Sequence, residues 1–349
     1  MSAGRHQNGA EKSRRCCVGG GCGLYPAGGI IMKNDIRKIV LIGTGFVGMS
    51  FAYALLNQTA CDELVLIDID TRRAEGEAMD LNHGVAFSGS HMKIYAGTYS
   101  DCRDADIVAI CAGVAQRPGE TRIDLLQRNT EVFRSVIGPV VDSGFGGIFL
   151  IATNPVDIMA HVTQKLSGFD PRRVIGSGTT LDSARLRYLL GSYLRTDPRN
   201  VHAYVMGEHG DSEFVPWSQA MVGTKPVLKI VEESPGKFSL EDLQNIGEEV
   251  KNAAQKIIAA KKSTYYGIGM SMVRIAKAIF GDENSILTVS TLLRGEYGES
   301  DVYIGVPCFV NREGVAGILE VSLTEEELEK FKLSAAVLKD AFGGIRFEK

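Results

Sequence analysis

No stretch of 18 consecutive apolar residues occurs anywhere in the 349-residue chain, which excludes a membrane-spanning helix of ordinary length. The basic N-terminus is not followed by an apolar segment of signal-peptide length. An excess of one charge is also missing. Lys and Arg number 38 against 42 Asp and Glu, a net charge of −4, so no general field draws the chain to nucleic acid or to an anionic membrane. Cysteine is sparse and odd in number, seven in all. Cys61, Cys102, Cys111 and Cys308 are scattered and read as reduced, mostly packing residues of a cytoplasmic protein. Cys16, Cys17 and Cys22 cluster near the start, but a second ligand pair at zinc-finger spacing is missing. No metal site is expected.

Apolar residues make up 44% of the chain, enough for a normal core, and the length favours two domains. Met1 to Ile31 is rich in Gly, Arg and Ser and has no periodicity, so residues 1–34 read as a flexible leader, with Met32 as a second candidate initiator. From Lys38 the pattern becomes regular. Short apolar runs rich in β-branched residues, Lys38–Gly43, Leu64–Asp68, Ile107–Cys111 and Ile148–Ala152, read as buried parallel strands. Helical spacing over Phe46–Asn57, Thr71–Val85 and Thr121–Val141 lies between them. Strands alternating with helices predict a doubly wound parallel sheet over residues 35–177. The second half reads differently. Helices are expected over Asp182–Leu194, Leu240–Ala260 and Thr324–Ala341. Strands are expected over Val201–Val205, Ile286–Leu293, Val302–Val310 and Val315–Leu323, with a turn at Asn311–Gly314. Residues 178–349 therefore read as an α+β domain.

Gly43-Thr-Gly45-Phe46-Val47-Gly48 directly follows the first strand and opens a helix, and Asp68 closes the next strand twenty residues after Gly48. In that context G-x-G-x-x-G is a dinucleotide-binding pattern of Rossmann type. Gly43 permits the tight turn, Gly45 lets the backbone approach a pyrophosphate, and Gly48 lets the helix pack closely on the sheet. The helix N-terminus offers free N–H groups to the phosphates. A carboxylate at Asp68 suits ribose hydroxyls and repels a 2′-phosphate, which favours NAD over NADP.

Three further segments carry chemistry: Ala112-Gly-Val-Ala-Gln-Arg-Pro-Gly-Glu-Thr-Arg122, Thr180-Leu-Asp-Ser-Ala-Arg185 and Gly207-Glu-His-Gly-Asp211. With the glycine loop they resemble the L-lactate and malate dehydrogenase family, over about Ile36 to Phe342. The resemblance implies that His209 is the acid/base of a ketone reduction, a task that suits imidazole near neutral pH. It makes Asp182 the carboxylate partner that raises the imidazole pKa, although an Asp there also suits a helix N-cap. Arg185, one helical turn from Asp182, would bind the substrate carboxylate with its planar fork. Arg122 would close on the reacting carbonyl from a segment that reads as a lid. Asn154, in Ala152-Thr-Asn-Pro155, would contact the substrate oxygen and the nicotinamide region.

Six residues before Arg122, the family's malate enzymes carry Arg and its lactate enzymes Gln. This chain has Gln116, with Arg117 beside it. An uncompensated second carboxylate in a closed site costs several kcal/mol, so pyruvate and L-lactate are the implied substrates, and Thr264 matches the pocket wall of the lactate enzymes. Arg187 and His202 match positions at which many bacterial relatives bind fructose 1,6-bisphosphate between subunits, which implies a homotetramer and allosteric activation. A malate dehydrogenase of relaxed selectivity is the alternative within the class. An inactive nucleotide sensor on the same fold is the alternative outside it.

Overall fold

The computed structural model describes residues 36–114, 119 and 121–347. Met32, Cys16, Cys17, Cys22, Gln116 and Arg117 lie outside the described residues, as does the side chain of Arg122.

The chain alternates strictly at first: β1 (Lys38–Ile42), α1 (Phe46–Gln58), β2 (Glu63–Ile67), α2 (Thr71–Val85), β3 (Lys93–Ala96), β4 (Ile107–Ile110), α3 (Arg122–Asp142), β5 (Ile148–Ile151), α4 (Val156–Ser167) and β6 (Val174–Gly176). All residues of β1, β4 and β5 are buried, as a strand covered by helices on both faces must be. Each Leu or Ile so enclosed contributes about 1.5–3 kcal/mol of transfer free energy. After β6 come α5 (Thr180–Leu194), β7 (Val201–His202), β8 (Met221–Val222), β9 (Lys225–Pro226), α6 (Val227–Glu232), α7 (Leu240–Lys261), α8 (Tyr266–Phe280), β10 (Ser285–Arg294), β11 (Ser300–Asn311), β12 (Gly314–Ile318) and α9 (Glu325–Gly343).

Nine strands form one sheet in the order β12-β11-β10-β6-β5-β4-β1-β2-β3. The six N-terminal strands are parallel and reverse direction of progression at β1/β4, the switch point at which open α/β sheets place their ligands. The sequence predicts this sheet and the α+β second half. It does not predict that β10–β12 continue the same sheet antiparallel, joined to β6 at Ser290↔Gly176. β7–β9 form a separate small sheet, with a second apolar core between α5 and α7.

Two expected strands are shorter than their apolar runs. Val201–Val205 pairs only over Val201–His202. Beyond it the chain is taken over by α5: Thr179 Oγ1 donates to the Val205 carbonyl at 2.6 Å and the Val205 amide donates to Ser183 Oγ at 2.9 Å. The run Val315–Leu323 pairs as β12 only to Ile318. The helices α4, α6 and α8 and the strands β3, β6, β8 and β9 have no counterpart among the expected elements. Among the described residues no helix is long and apolar enough to cross a membrane.

Candidate active site

The glycine loop lies at the C-terminal end of β1. Gly43 has φ +100°, and a Cβ there would meet the Ala112 backbone nitrogen at 2.5 Å, so only glycine fits. A Cβ on Gly48 would lie 2.1 Å from the Gly43 carbonyl oxygen. A Cβ on Gly45 meets nothing within 4 Å: the chain leaves open space at the point where α1 begins. Gly45 is the N-cap of α1 and no side chain caps that end, so its first N–H groups are available to an anion. Asp68 accepts from the Thr44 amide at 2.7 Å, from Thr44 Oγ1 at 2.9 Å and from the Asp70 amide at 3.0 Å. Partial burial works against its charge, but these donors prevail and hold its carboxyl below the usual range. An ionised acid, an uncapped helix and an open cradle fit the adenosine diphosphate half of NAD. Phe46 is exposed and its ring stacks on Tyr265 at 5.3 Å. Val47 is half-buried against the core.

The His209 group is assembled from separated segments. The loop after β7 carries His209 and is pinned on three sides. The Gly207 amide donates to Gly305 of β11 at 3.0 Å, the Glu208 amide to Ser334 Oγ of α9 at 2.7 Å, and the His209 amide to Asp157 Oδ2 of α4 at 2.8 Å. The His209 Nδ1 meets Asp182 Oδ2 at 2.6 Å, and Asp182 Oδ1 accepts from Arg185 Nη1 at 2.7 Å. Asp182 is therefore not the cap of α5. Thr179 holds that position, and Asp182 sits in the first turn with its side chain 2% exposed. His209 remains 23% exposed, and its Nε2 is hydrogen-bonded to no described residue. Burial disfavours the imidazolium, but the charge and hydrogen bond of Asp182 outweigh it and raise His209 to about 9. Burial likewise works against charge on Asp182, and His209 and Arg185 together hold its carboxyl below the ordinary range. Arg185 uses one nitrogen on Asp182 and makes no other ion pair with the described residues, leaving donors for a ligand.

The structure thus brings His209, Asp182 and Arg185 together, sequence positions up to 27 apart. Asn154 is exposed at the end of β5, next to a cis bond to Pro155. Its carbonyl accepts from Asn129 Nδ2 at 3.4 Å. Thr264 is half-buried in the turn before α8. Arg187 donates from Nε to the Ala203 carbonyl at 3.3 Å and lies over the Tyr204 ring, while His202 is exposed on β7. Two participants are not anticipated by the sequence. Asp157 fixes the backbone of His209, and burial pushes its carboxyl up to about 6. The one signal for it is the Asn-Pro turn two residues before. Glu213, in the same loop as His209, lies beside the pair. The donor atoms of Asp182, His209 and Glu213 all lie within 4.8 Å of one another.

A parallel sheet that presents a dinucleotide cradle on one side and a carboxylate–imidazole–guanidinium group on the other defines a nicotinamide-dependent dehydrogenase of hydroxy acids. Family models agree. Residues 37–176 match the lactate/malate dehydrogenase NAD-binding domain and residues 179–345 the lactate/malate dehydrogenase alpha/beta C-terminal domain. The chain belongs to the lactate/malate dehydrogenase family, and its cofactor is NAD. It is 54% identical to L-lactate dehydrogenase 2 of Bacillus anthracis over 314 residues, 90% of this chain and all of that one. L-lactate dehydrogenase 1 of Bacillus cereus is 52% identical over 314 residues, with the same coverage of both chains. Among solved structures, a lactate dehydrogenase enzyme from a Medee basin deep-sea metagenome library superposes with TM-score 0.87 at 54% identity, covering 88% of this chain and 98% of that one. The ligand-bound minor L-lactate dehydrogenase of Enterococcus mundtii gives TM-score 0.88 at 47% identity, over 90% and 99% of the two chains.

Proposed function

We propose that the chain interconverts pyruvate and L-lactate. The observation that carries this reading is the His209–Asp182–Arg185 group, with the ring linked to Asp182 through Nδ1 at 2.6 Å and its Nε2 left for a ligand. The names of the relatives support the choice of substrate.

Arg185 binds the pyruvate carboxylate through two parallel hydrogen bonds and so orients the keto oxygen toward His209 Nε2. NADH, when bound, supplies the hydride to the carbonyl carbon. As negative charge develops on the oxygen, the His209 imidazolium donates its Nε2 proton to it and becomes neutral. Asp182 keeps the Nδ1–H in place throughout and stabilises the charged ring before transfer. Arg122 polarises the carbonyl and Asn154 contacts the same oxygen. Gln116 and Thr264 shape the methyl end, where a neutral amide leaves a second carboxylate without a counter-charge. On the cofactor side, Gly43, Gly45, Phe46, Val47 and Gly48 would hold the pyrophosphate of NAD, and Asp68 would accept from its adenosine ribose. In lactate oxidation the neutral imidazole takes the hydroxyl proton.

Division of labour near residue 177 follows from this scheme, with cofactor contacts before it and proton transfer after it. The regulatory part of the proposal is that Arg187 and His202 from two chains of a homotetramer bind fructose 1,6-bisphosphate and activate the enzyme. Residence in the cytoplasm belongs to the same reading. The four described cysteines are all unpaired, as a reducing compartment would leave them. NADH oxidation with pyruvate and with oxaloacetate, each with and without the bisphosphate, tests the whole scheme. A large pyruvate preference and bisphosphate activation are the expected results. Preference for oxaloacetate would overturn the selectivity assignment, and indifference to the bisphosphate would overturn the regulatory one.

A further inference from the structure

Glu213 is 6% exposed. Its backbone is fixed by a bond to the Gly210 carbonyl at 3.2 Å and by the Met206–Phe214 bridge beside it. Its carboxyl lies within 4.8 Å of the nearest donor atoms of both Asp182 and His209, yet it accepts no hydrogen bond from any described residue. Asp182, by contrast, is bonded to both His209 and Arg185. Two buried carboxyls at this separation do not both ionise readily, and the one with two cationic partners keeps its charge. The other keeps a proton.

The charged groups that act on Glu213 are Asp182 and Arg185 from α5, His209 from its own loop and Lys251 from α7, and Asp211 lines the same cavity. Glu213 also lines a cavity of about 820 Å³, to which α7 contributes Glu248 and Lys251 and α9 contributes Glu326, Glu327 and Lys330. Lys251 is a cation on that side, but it is paired to Glu248 at 3.3 Å. The cavity gives a proton leaving Glu213 a route to water.

We propose that Glu213 is a positioning residue of the proton-transfer group. It stays protonated at neutral pH and releases its proton to solvent as the medium turns alkaline. The negative charge it then carries holds the proton on His209 to higher pH. Burial and the Asp182 charge push Glu213 up to about 8, and Glu213 is itself among the charges that raise His209. The two groups therefore titrate as a coupled pair rather than separately.

This inference rests on His209 as the proton donor, and its test separates the two. The neutral isostere Glu213→Gln and the shorter acid Glu213→Asp are compared with the parent by the pH profile of kcat/KM for pyruvate across neutral and alkaline pH. In Glu213→Gln the alkaline pKa is expected to fall by about half a unit or more, with Glu213→Asp in between. An unmoved alkaline pKa, whatever the rate, overturns the proposal and leaves Glu213 a packing residue. A titration of the His209 ring by NMR in the full chain without substrate needs no turnover, so it reads the coupling even if pyruvate is not the substrate. The parent is expected to show two inflections and Glu213→Gln one, at lower pH. If the variant does not fold, a single inflection in the parent overturns the proposal on its own.

Discussion

Asp182→Asn removes the charge that sustains His209 while preserving shape. The parent ring sits at about 9 against an ordinary 6.5, and at about 1.4 kcal/mol per unit this amounts to roughly 3 kcal/mol of preference for the imidazolium. The sign is that of a base whose folded pKa is raised: the proton is held below pH 9 and lost above it. Without Asp182 the main raising influence is gone, and burial is opposed only by the weaker charges of Asp157 and Glu213, so the ring falls toward its ordinary 6.5. At about pH 7.5 the protonated fraction then drops from about 97% toward about 9%. The expected outcome is roughly a tenfold or greater loss of kcat/KM for pyruvate at that pH. The ratio of parent to variant should grow about tenfold per pH unit between about 6.5 and 9 and shrink toward acid pH. The assay is stopped-flow or steady-state NADH oxidation from mildly acid to alkaline pH, with circular dichroism to confirm folding. A ratio that stays constant with pH would refute the reasoning, because Asp182 would then be orienting the ring without sustaining its charge.

Gly45→Ala tests the cradle. A Cβ there meets no atom of the chain, so thermal stability should be nearly unchanged while NADH affinity, measured by fluorescence titration, falls about tenfold or more. Unchanged affinity would mean that the pyrophosphate does not pass over Gly45. Gln116→Arg should move the kcat/KM preference toward oxaloacetate by an order of magnitude or more, since it supplies the missing counter-charge. An unaltered ratio would move the selecting role elsewhere. Asp106 accepts from the Lys38 amide at 2.8 Å, and burial pushes its carboxyl up to about 6. Its folded state holds the proton more tightly than the unfolded chain, so this group favours folding below its unfolded pKa and that benefit fades as pH rises to about 6. Asp106→Asn keeps the acceptor and loses the charge. It should raise Tm by a few degrees at about pH 8 and by little at about pH 4, and an equal shift at both would contradict the assignment.

The central strands and their helices are legible because β1, β4 and β5 are short apolar runs bounded by turns. What escapes has physical causes. α4 is buried over eight consecutive residues, Val156 to Thr163, so it offers no polar stripe to mark a helix. α8 carries Gly267 and Gly269 in its first turns, the latter with a would-be Cβ 2.7 Å from the Ser50 backbone, and helix packing there overrides propensity. β6 has three residues, too few for any period. Its pairing with β10 joins Gly176 to Ser290, positions so far apart in the chain that no local pattern encodes it. In the site, His209, Asp182 and Arg185 stand in recognisable motifs. Asp157 and Glu213 do not, because their importance lies in which atoms they face across the fold.

The strand pairing at Gly176 has a mechanical consequence. Gly176 admits Ser290 so closely that a Cβ would lie 2.7 Å from it, and this seam joins the half that carries the glycine loop and the half that carries His209 into one continuous plank. The cradle hangs from β1 and the His209 loop is fastened to β11 of the same sheet. The distance between the glycine cradle and the His209 loop is therefore set by strand spacing. Evolution of new substrates on this frame must work by exchanging side chains around a fixed span, and heat should dismantle both halves in one cooperative event rather than two.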